Sequence, residues 1–156
     1  MNSDDIYSKA RREKPDFDAT IEKLANKHGA LSVITPLKNK DRAQEKANNL
    51  YEGDITRVDD ILRASIIVTK NDKVATVFND AMTEFDVIRA VNKCIEKQHS
   101  SDGYFDARIY INLNGFTAEL QIHSKSMQAA KEKAHGLYEE KQKINCNLVN
   151  VHLLSS

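Results

Sequence analysis

Arg108, Tyr110, Asn112, Thr117, Glu119, Gln121 and His123 fall at alternate positions on either side of Asn114-Gly115. That dipeptide, flanked by alternating apolar residues, is the signature of a two-residue type I′ hairpin, which needs positive φ at both turn positions. Pairing the arms about the turn sets Asn112 opposite Thr117, Tyr110 opposite Glu119 and Arg108 opposite Gln121, with His123 just beyond on the same face. One surface then carries a carboxylate, an amide, a guanidinium and an imidazole, groups able to hold a metal, orient a nucleophile or move a proton. An ordinary solvated face is the alternative. The other surface, Ala107, Ile109, Ile111, Leu113, Phe116, Ala118, Leu120 and Ile122, is a core wall.

Glutamate is disfavoured in mid-strand, and the apolar neighbours of Glu119 fix its register, so its position is specified. A second acid pair, Asp59-Asp60, stands directly ahead of the β-branched run Ile61 to Thr69. A carboxylate at a strand end has a fixed backbone and a wet side chain, a usual arrangement for a divalent cation, although turn aspartates are equally common. Strict alternation from Asp59 would put Asp59, not Asp60, on the face of Arg63 and Ser65. Acids on neighbouring strands would suit magnesium in phosphoryl or nucleotidyl transfer. Lys38, Arg42 and Lys46 follow one another at helical i, i+4 spacing, near Lys40. Stacked like charges repel, and an anion such as a nucleotide's phosphates would relieve them; Asp41 and Glu45 offer the plainer alternative of local pairing.

Composition narrows the classes. The 156 residues suit one domain with a core of its own, and 23 basic residues balance 23 acidic ones, so no global field gathers nucleic acid or an anionic membrane. Any anion must be held by a local cluster. Cys94 and Cys146 lack metal-ligand spacing and read as free thiols. No segment is long and apolar enough for a membrane span, and the N-terminus shows no export signal; a specialised secretion machine would leave no such trace.

The elements that must position these residues follow from pattern. Asp4 to Glu13 and Pro15 to Lys27 read as two helices, Ala30 to Leu37 as a short strand, and about Asn39 to Tyr51 as a helix. Ile61 to Thr69 reads as a central strand. Asn71-Asp72 caps a helix whose stripe is Val74, Val77, Phe78, Ala81 and Phe85, and Val87 to Cys94 is a further strand. A polar loop, Gln98 to Gly103, leads to the hairpin, then a helix from about Ser124 to Gln142 and a possible strand Leu148 to Leu154. The fold class is α/β (α+β), a mixed sheet of about five strands flanked by helices.

The ordered set of basic stripe, Asp60-Ile-Leu-Arg-Ala-Ser-Ile, Gly103-Tyr104, Glu119-Leu-Gln-Ile, Met127, Glu132 and His135 resembles the synthetase domain of the RelA/SpoT nucleotidyltransferases, which make guanosine tetraphosphate and pentaphosphate alarmones. The resemblance runs from about Val33 to Tyr138 and implies a nucleotidyltransferase-like synthetase fold. Residues 1–29 would be an N-terminal helical flank and 30–156 the synthetase domain, in one compact unit.

Carried over, the resemblance implies that Asp60 and Glu119 hold magnesium and align the acceptor hydroxyl, with Gln121 supporting the site. Lys38 and Lys46 would contact the phosphates of donor ATP, with Arg42, Arg63 and Ser65 beside them. Tyr104 would stack on the acceptor base, near Arg108, Tyr110 and His123. Glu132 and His135 match positions that would brace the last helix. Departures from the family pattern are Pro36 where an adenine-stacking arginine usually stands, Arg63-Ala64-Ser65 in place of Gly-x-Arg, and Asp106 and Arg108 in place of a serine and a histidine. The implied reaction moves diphosphate from ATP to the 3′ hydroxyl of GDP, GTP or an adenine nucleotide. A tRNA 3′ end, as in toxin-type relatives, and a nucleotide-binding module without catalysis are the alternatives. No His-Asp dipeptide occurs, so the family's hydrolase activity is not expected. A cytoplasmic protein of bacterial or phage origin, active on its own cell or delivered to another, is implied, with self-association or an antitoxin partner left open and no membrane partner.

Overall fold

A computed structural model describes residues 2–96 and 103–126, with residues 93–96 and 103–106 as backbone only. Helix α1 (Ser3–Lys27) leads to β1 (Leu31–Ile34) and α2 (Lys40–Leu50). A 3₁₀ turn (Ile55–Arg57) precedes β2 (Leu62–Val68), α3 (Asp72–Glu84), β3 (Val87–Glu96), β4 (Gly103–Leu113) and β5 (Phe116–Ser124). The sheet order is β1-β2-β5-β4-β3, with β2 and β5 parallel and every other pair antiparallel. This is the mixed five-stranded α+β sheet expected from the pattern. The expected helix from Ser124 and strand Leu148 to Leu154, together with Met127, Glu132 and His135, lie outside the described residues beyond Ser126.

The hairpin forms as its turn chemistry requires. Asn114 and Gly115 both take positive φ, 53° and 88°, and the pairing is Arg108 with Gln121, Tyr110 with Glu119 and Asn112 with Thr117. Asn112 Oδ1 accepts the Gly115 N–H at 2.9 Å, and Asn114 donates to Glu13 of α1 at 2.8 Å, so the turn is tied down at both ends. The core face is fully covered at Ile109, Ile111, Ala118, Leu120 and Ile122. Burial of each large aliphatic there contributes about 1.5–3 kcal/mol, and a slip of one residue would turn all of them outward, so burial locks the register. Helix α1 lies against β1 and β2 and α3 against β4 and β5, their residues sharing one core. His28 and Lys27 both reach Asp80 of α3, at 2.6 and 2.9 Å.

Two expectations are corrected. The N-terminal segment is one helix, not two, with Pro15 inside it. Ile6, Tyr7 and Ala10 are buried before Pro15, and Phe17, Ile21, Leu24 and Ala25 after it, and packing of the stripe on both sides outweighs the hydrogen bond that Pro15 cannot donate. The Asn71 side chain makes no cap bond to α3. Its Oδ1 instead accepts from the Ser126 hydroxyl at 2.9 Å, joining α3 to the end of β5.

Pro15 is exposed, so Pro15→Ala restores a main-chain bond without opening a cavity. Less the entropy proline removes from the unfolded chain, the expected gain is about 2 kcal/mol. Urea unfolding of the two proteins checks it, and an unchanged or lowered midpoint would refute the reading of α1 as a continuous helix.

Candidate active site

Asp60 is set in place by the backbone around it. The 3₁₀ turn, capped by the Asp54 side chain on Thr56 N, buries Ile55, and Val58 and Ile61 on either side of the acids are buried too. Lys38 N donates to Ile61 O at 2.9 Å, and the Tyr7 hydroxyl of α1 donates to Lys38 O, so the loop carrying Lys38 is held on both sides. Helix α2 approaches on Ala43 and Ala47, both fully buried, with Asn39 accepting from Asp41 N and Arg42 N as its cap. The result is an ion triad: Asp60 Oδ2 lies 3.2 Å from Lys38 Nζ and 3.1 Å from Lys46 Nζ.

Lys38 therefore precedes the helix instead of belonging to it, because Asn39 caps α2. The repulsion between Lys38 and Lys46 is relieved by Asp60, an internal anion. Burial opposes ionisation of Asp60, but the hydrogen bond and charge of Lys46, then those of Lys38, outweigh it and hold the carboxyl below its usual range. Asp60 Oδ1 is buried and has no hydrogen-bond partner among the described residues. Arg42 is exposed and lines, with Lys38, Glu45, Lys46, Asn49 and Leu50, a groove of about 380 Å³ on the outer side of the triad.

Glu119 sits in β5 between two partners, opposite Arg63 of β2 and Tyr110 of β4. It is 5% exposed. Donors converge on it: Gln121 Nε2 gives a hydrogen bond to Glu119 Oε1 at 2.7 Å, and the Tyr110 hydroxyl bonds the same carboxylate. Each has its own support, His123 Nε2 at 3.0 Å from Gln121 Oε1 and Arg108 Nη1 at 3.2 Å from the Tyr110 oxygen. With Gln121 donating to Glu119, its oxygen accepts from His123, which fixes the proton on Nε2 of that ring. Burial and then the Glu119 charge push the Tyr110 pKa far up, so the phenol stays protonated and donating.

Register places Ser65 beside Gln121 and Arg63 beside Glu119 on this face. Arg63 Nε is buried without a hydrogen-bond partner among the described residues. Tyr104 lies in β4 opposite Ile95, and Asp106 opposite Lys93, both described as backbone only. The two acids of the Asp59-Asp60 pair part company, Asp60 to the lysines and Asp59 to Arg89 of β3. Arg89 also stacks over Tyr110, 3.9 Å from the ring centroid. Sequence reasoning missed Arg89; an arginine inside a strand facing a tyrosine was the available signal, but the strand pairing that brings them together was not.

Asp60 favours ionisation in the folded state, so its contribution to stability is present above about pH 4 and is lost as pH falls through its lowered folded value. Asp60→Asn removes that term. Unfolding free energy measured from about pH 5 down to about pH 2 should fall less steeply in the variant than in the parent; parallel curves would deny the triad.

No family model matches the sequence. The chain is 36% identical over 128 residues to the (p)ppApp synthetase toxin Tas1 of Pseudomonas aeruginosa (strain UCBPP-PA14), which covers 81% of this chain and only 28% of the relative. The crystal structure of the type VI effector Tas1 with its immunity protein superposes with a TM-score of 0.66 at 34% identity, over 80% of this chain and 62% of that one. Small alarmone synthetase 1 of Bacillus subtilis shares the fold, with a TM-score of 0.58 at 16% identity over 82% of this chain and 74% of its own. The motif order, the sheet order with its two buried acids, and these likenesses point the same way: over most of its length the chain is similar to a RelA/SpoT-like synthetase domain, and it spans less than a third of the curated relative it matches.

Proposed function

We propose that this domain is a magnesium-dependent pyrophosphokinase acting on ATP and a nucleotide acceptor. The observation that carries the reading is that two buried carboxylates are each held by their own donors, and held differently. Asp60 is fixed by two lysines with one oxygen left over, and Glu119 is fixed by a tyrosine and a glutamine with their own supports. Hard oxygen donors with an unpartnered buried oxygen fit magnesium, so Asp60 and Glu119 are the residues that would hold it. Bound there, the cation would offset the charge that builds on the transferred phosphates.

In the transfer the acceptor's 3′ oxygen attacks the β-phosphorus of ATP, the bond from that phosphorus to the oxygen bridging to the α-phosphate breaks, and AMP leaves. Lys38, Lys46 and Arg42 draw the donor phosphates to the groove side, where the positive charges are already assembled. Glu119 accepts a hydrogen bond from the 3′ hydroxyl and takes its proton. The donors on Glu119 aim it and keep it an acceptor, which is the preorganisation such chemistry needs. The resemblance to a (p)ppApp synthetase toxin supports an adenine nucleotide as acceptor, and the complex of that type VI effector with its immunity protein supports an immunity-type protein partner for this domain. No helix of the described residues is long and apolar enough to cross a membrane.

Incubating the protein with magnesium and γ-labelled ATP should place label on ADP or ATP in preference to GDP, GTP or tRNA. Glu119→Gln and Asp60→Asn should each lower transfer by about 10²-fold or more with the fold intact. Label on tRNA alone would replace the acceptor, and full activity in Glu119→Gln would sink the mechanism. Nucleotide binding without turnover on any acceptor would leave a binding module.

A further inference from the structure

A cavity of about 600 Å³ opens at the hairpin-turn end of the sheet, between the first turns of α1, the 3₁₀ turn and the start of β3. Its apolar wall includes Ile6, Ile88 and Phe116, with the rings of Tyr51 and Tyr110. Three cations line it, and they differ. Arg89 is neutralised by Asp59. Lys9 and Arg57 have no carboxylate within ion-pair distance among the described residues. Asp54 acts on Arg57 only through space, its carboxylate being taken by the Thr56 N–H and hydroxyl, and Arg57 itself stacks over Tyr51 at 4.9 Å. The lining thus carries two cations without an ion-pair contact among the described residues. Lys9 is only half exposed, so part of its hydration is already lost with no counter-ion to replace it.

We propose that this cavity is an anion-binding subsite for a free mononucleotide, with Lys9 and Arg57 receiving phosphate and the apolar wall receiving the base. The volume suits a ligand of that size. Cations beside aromatic and aliphatic surface match a ligand that is charged at one end and planar at the other. The subsite is separate from the groove formed by Lys38, Arg42 and Lys46, and its occupancy requires no transfer chemistry. Tyr110 belongs to both regions: it lines the cavity and its hydroxyl bonds Glu119, so an occupant touches the network that aims that carboxylate.

Calorimetric titration of the full chain with AMP, and separately with inorganic pyrophosphate, tests this on the parent, Lys9→Ala/Arg57→Ala and Arg42→Ala. Arg42→Ala alters the groove without touching the Asp60 triad, and circular dichroism verifies that each variant is folded. The expected result is AMP binding that weakens about tenfold or more in Lys9→Ala/Arg57→Ala, through loss of two charge-assisted contacts, and persists in Arg42→Ala. Pyrophosphate, lacking a base, should bind this subsite more weakly than AMP. AMP affinity unchanged in Lys9→Ala/Arg57→Ala, or absent in the folded parent, would overturn the subsite. Equal affinity for AMP and pyrophosphate would overturn its assignment to nucleotides. None of these readouts involves label transfer, so failure here is distinct from failure of the pyrophosphokinase reading.

Discussion

β5 is bonded on both edges, parallel to β2 and antiparallel to β4, and its even-numbered residues are sealed in the core. That double constraint decides where every polar group on its other face stands. Glu119, Gln121 and His123 are two residues apart and point the same way, so each can support the next: imidazole to amide, amide to carboxylate. The same register brings Tyr110 across from Glu119 and Arg63 to its other flank. Loosen the apolar side and the polar side has no fixed geometry, because nothing within the network itself selects one register over another.

The two acids of the site are prepared by different physics. Asp60 is surrounded by full charges, and two ammonium groups on one carboxylate leave that corner net positive. Glu119 is approached by a phenol and an amide instead, with Arg63 beside it across the β2 register and two further guanidiniums, Arg89 and Arg108, on Tyr110. The Asp60 side thus favours anions, and the Glu119 side offers a hydrogen-bond acceptor. The asymmetry divides the polar groups into a cation-rich part and a carboxylate-centred part without any separate element.

Much of this was legible in the sequence where the determining interaction is local. Asn114-Gly115 dictates its own turn, and strict alternation on either side dictates the pairing, so the polar face of the hairpin could be written down residue by residue. What was not legible depends on contacts distant in the chain. Pro15 reads as a helix start because its local preference is real, yet the core continues past it. Lys38 reads as helical because the spacing is helical, yet Asn39 claims the cap and Ile61 claims the Lys38 N–H. Which of Asp59 and Asp60 faces the lysines is set by a short irregular stretch ahead of β2, where no periodicity operates, and the partner that removes Asp59 from contention, Arg89, lies two elements away. The resemblance to a known family could favour Asp60; alternation alone could not.

The parallel pairing of β2 with β5 sets Leu62 against Ala118, and the bond between Glu13 and Asn114 spans 101 residues. Contacts of that separation pay their loop-closure entropy before any packing rewards them. The hairpin needs only its own turn, whereas the strand that follows Asp60 pairs with β5 across the whole of α3, β3 and β4. The polar face of the hairpin thus rests on local chain geometry, and the charged corner at Asp60 on contacts between separate segments of the chain.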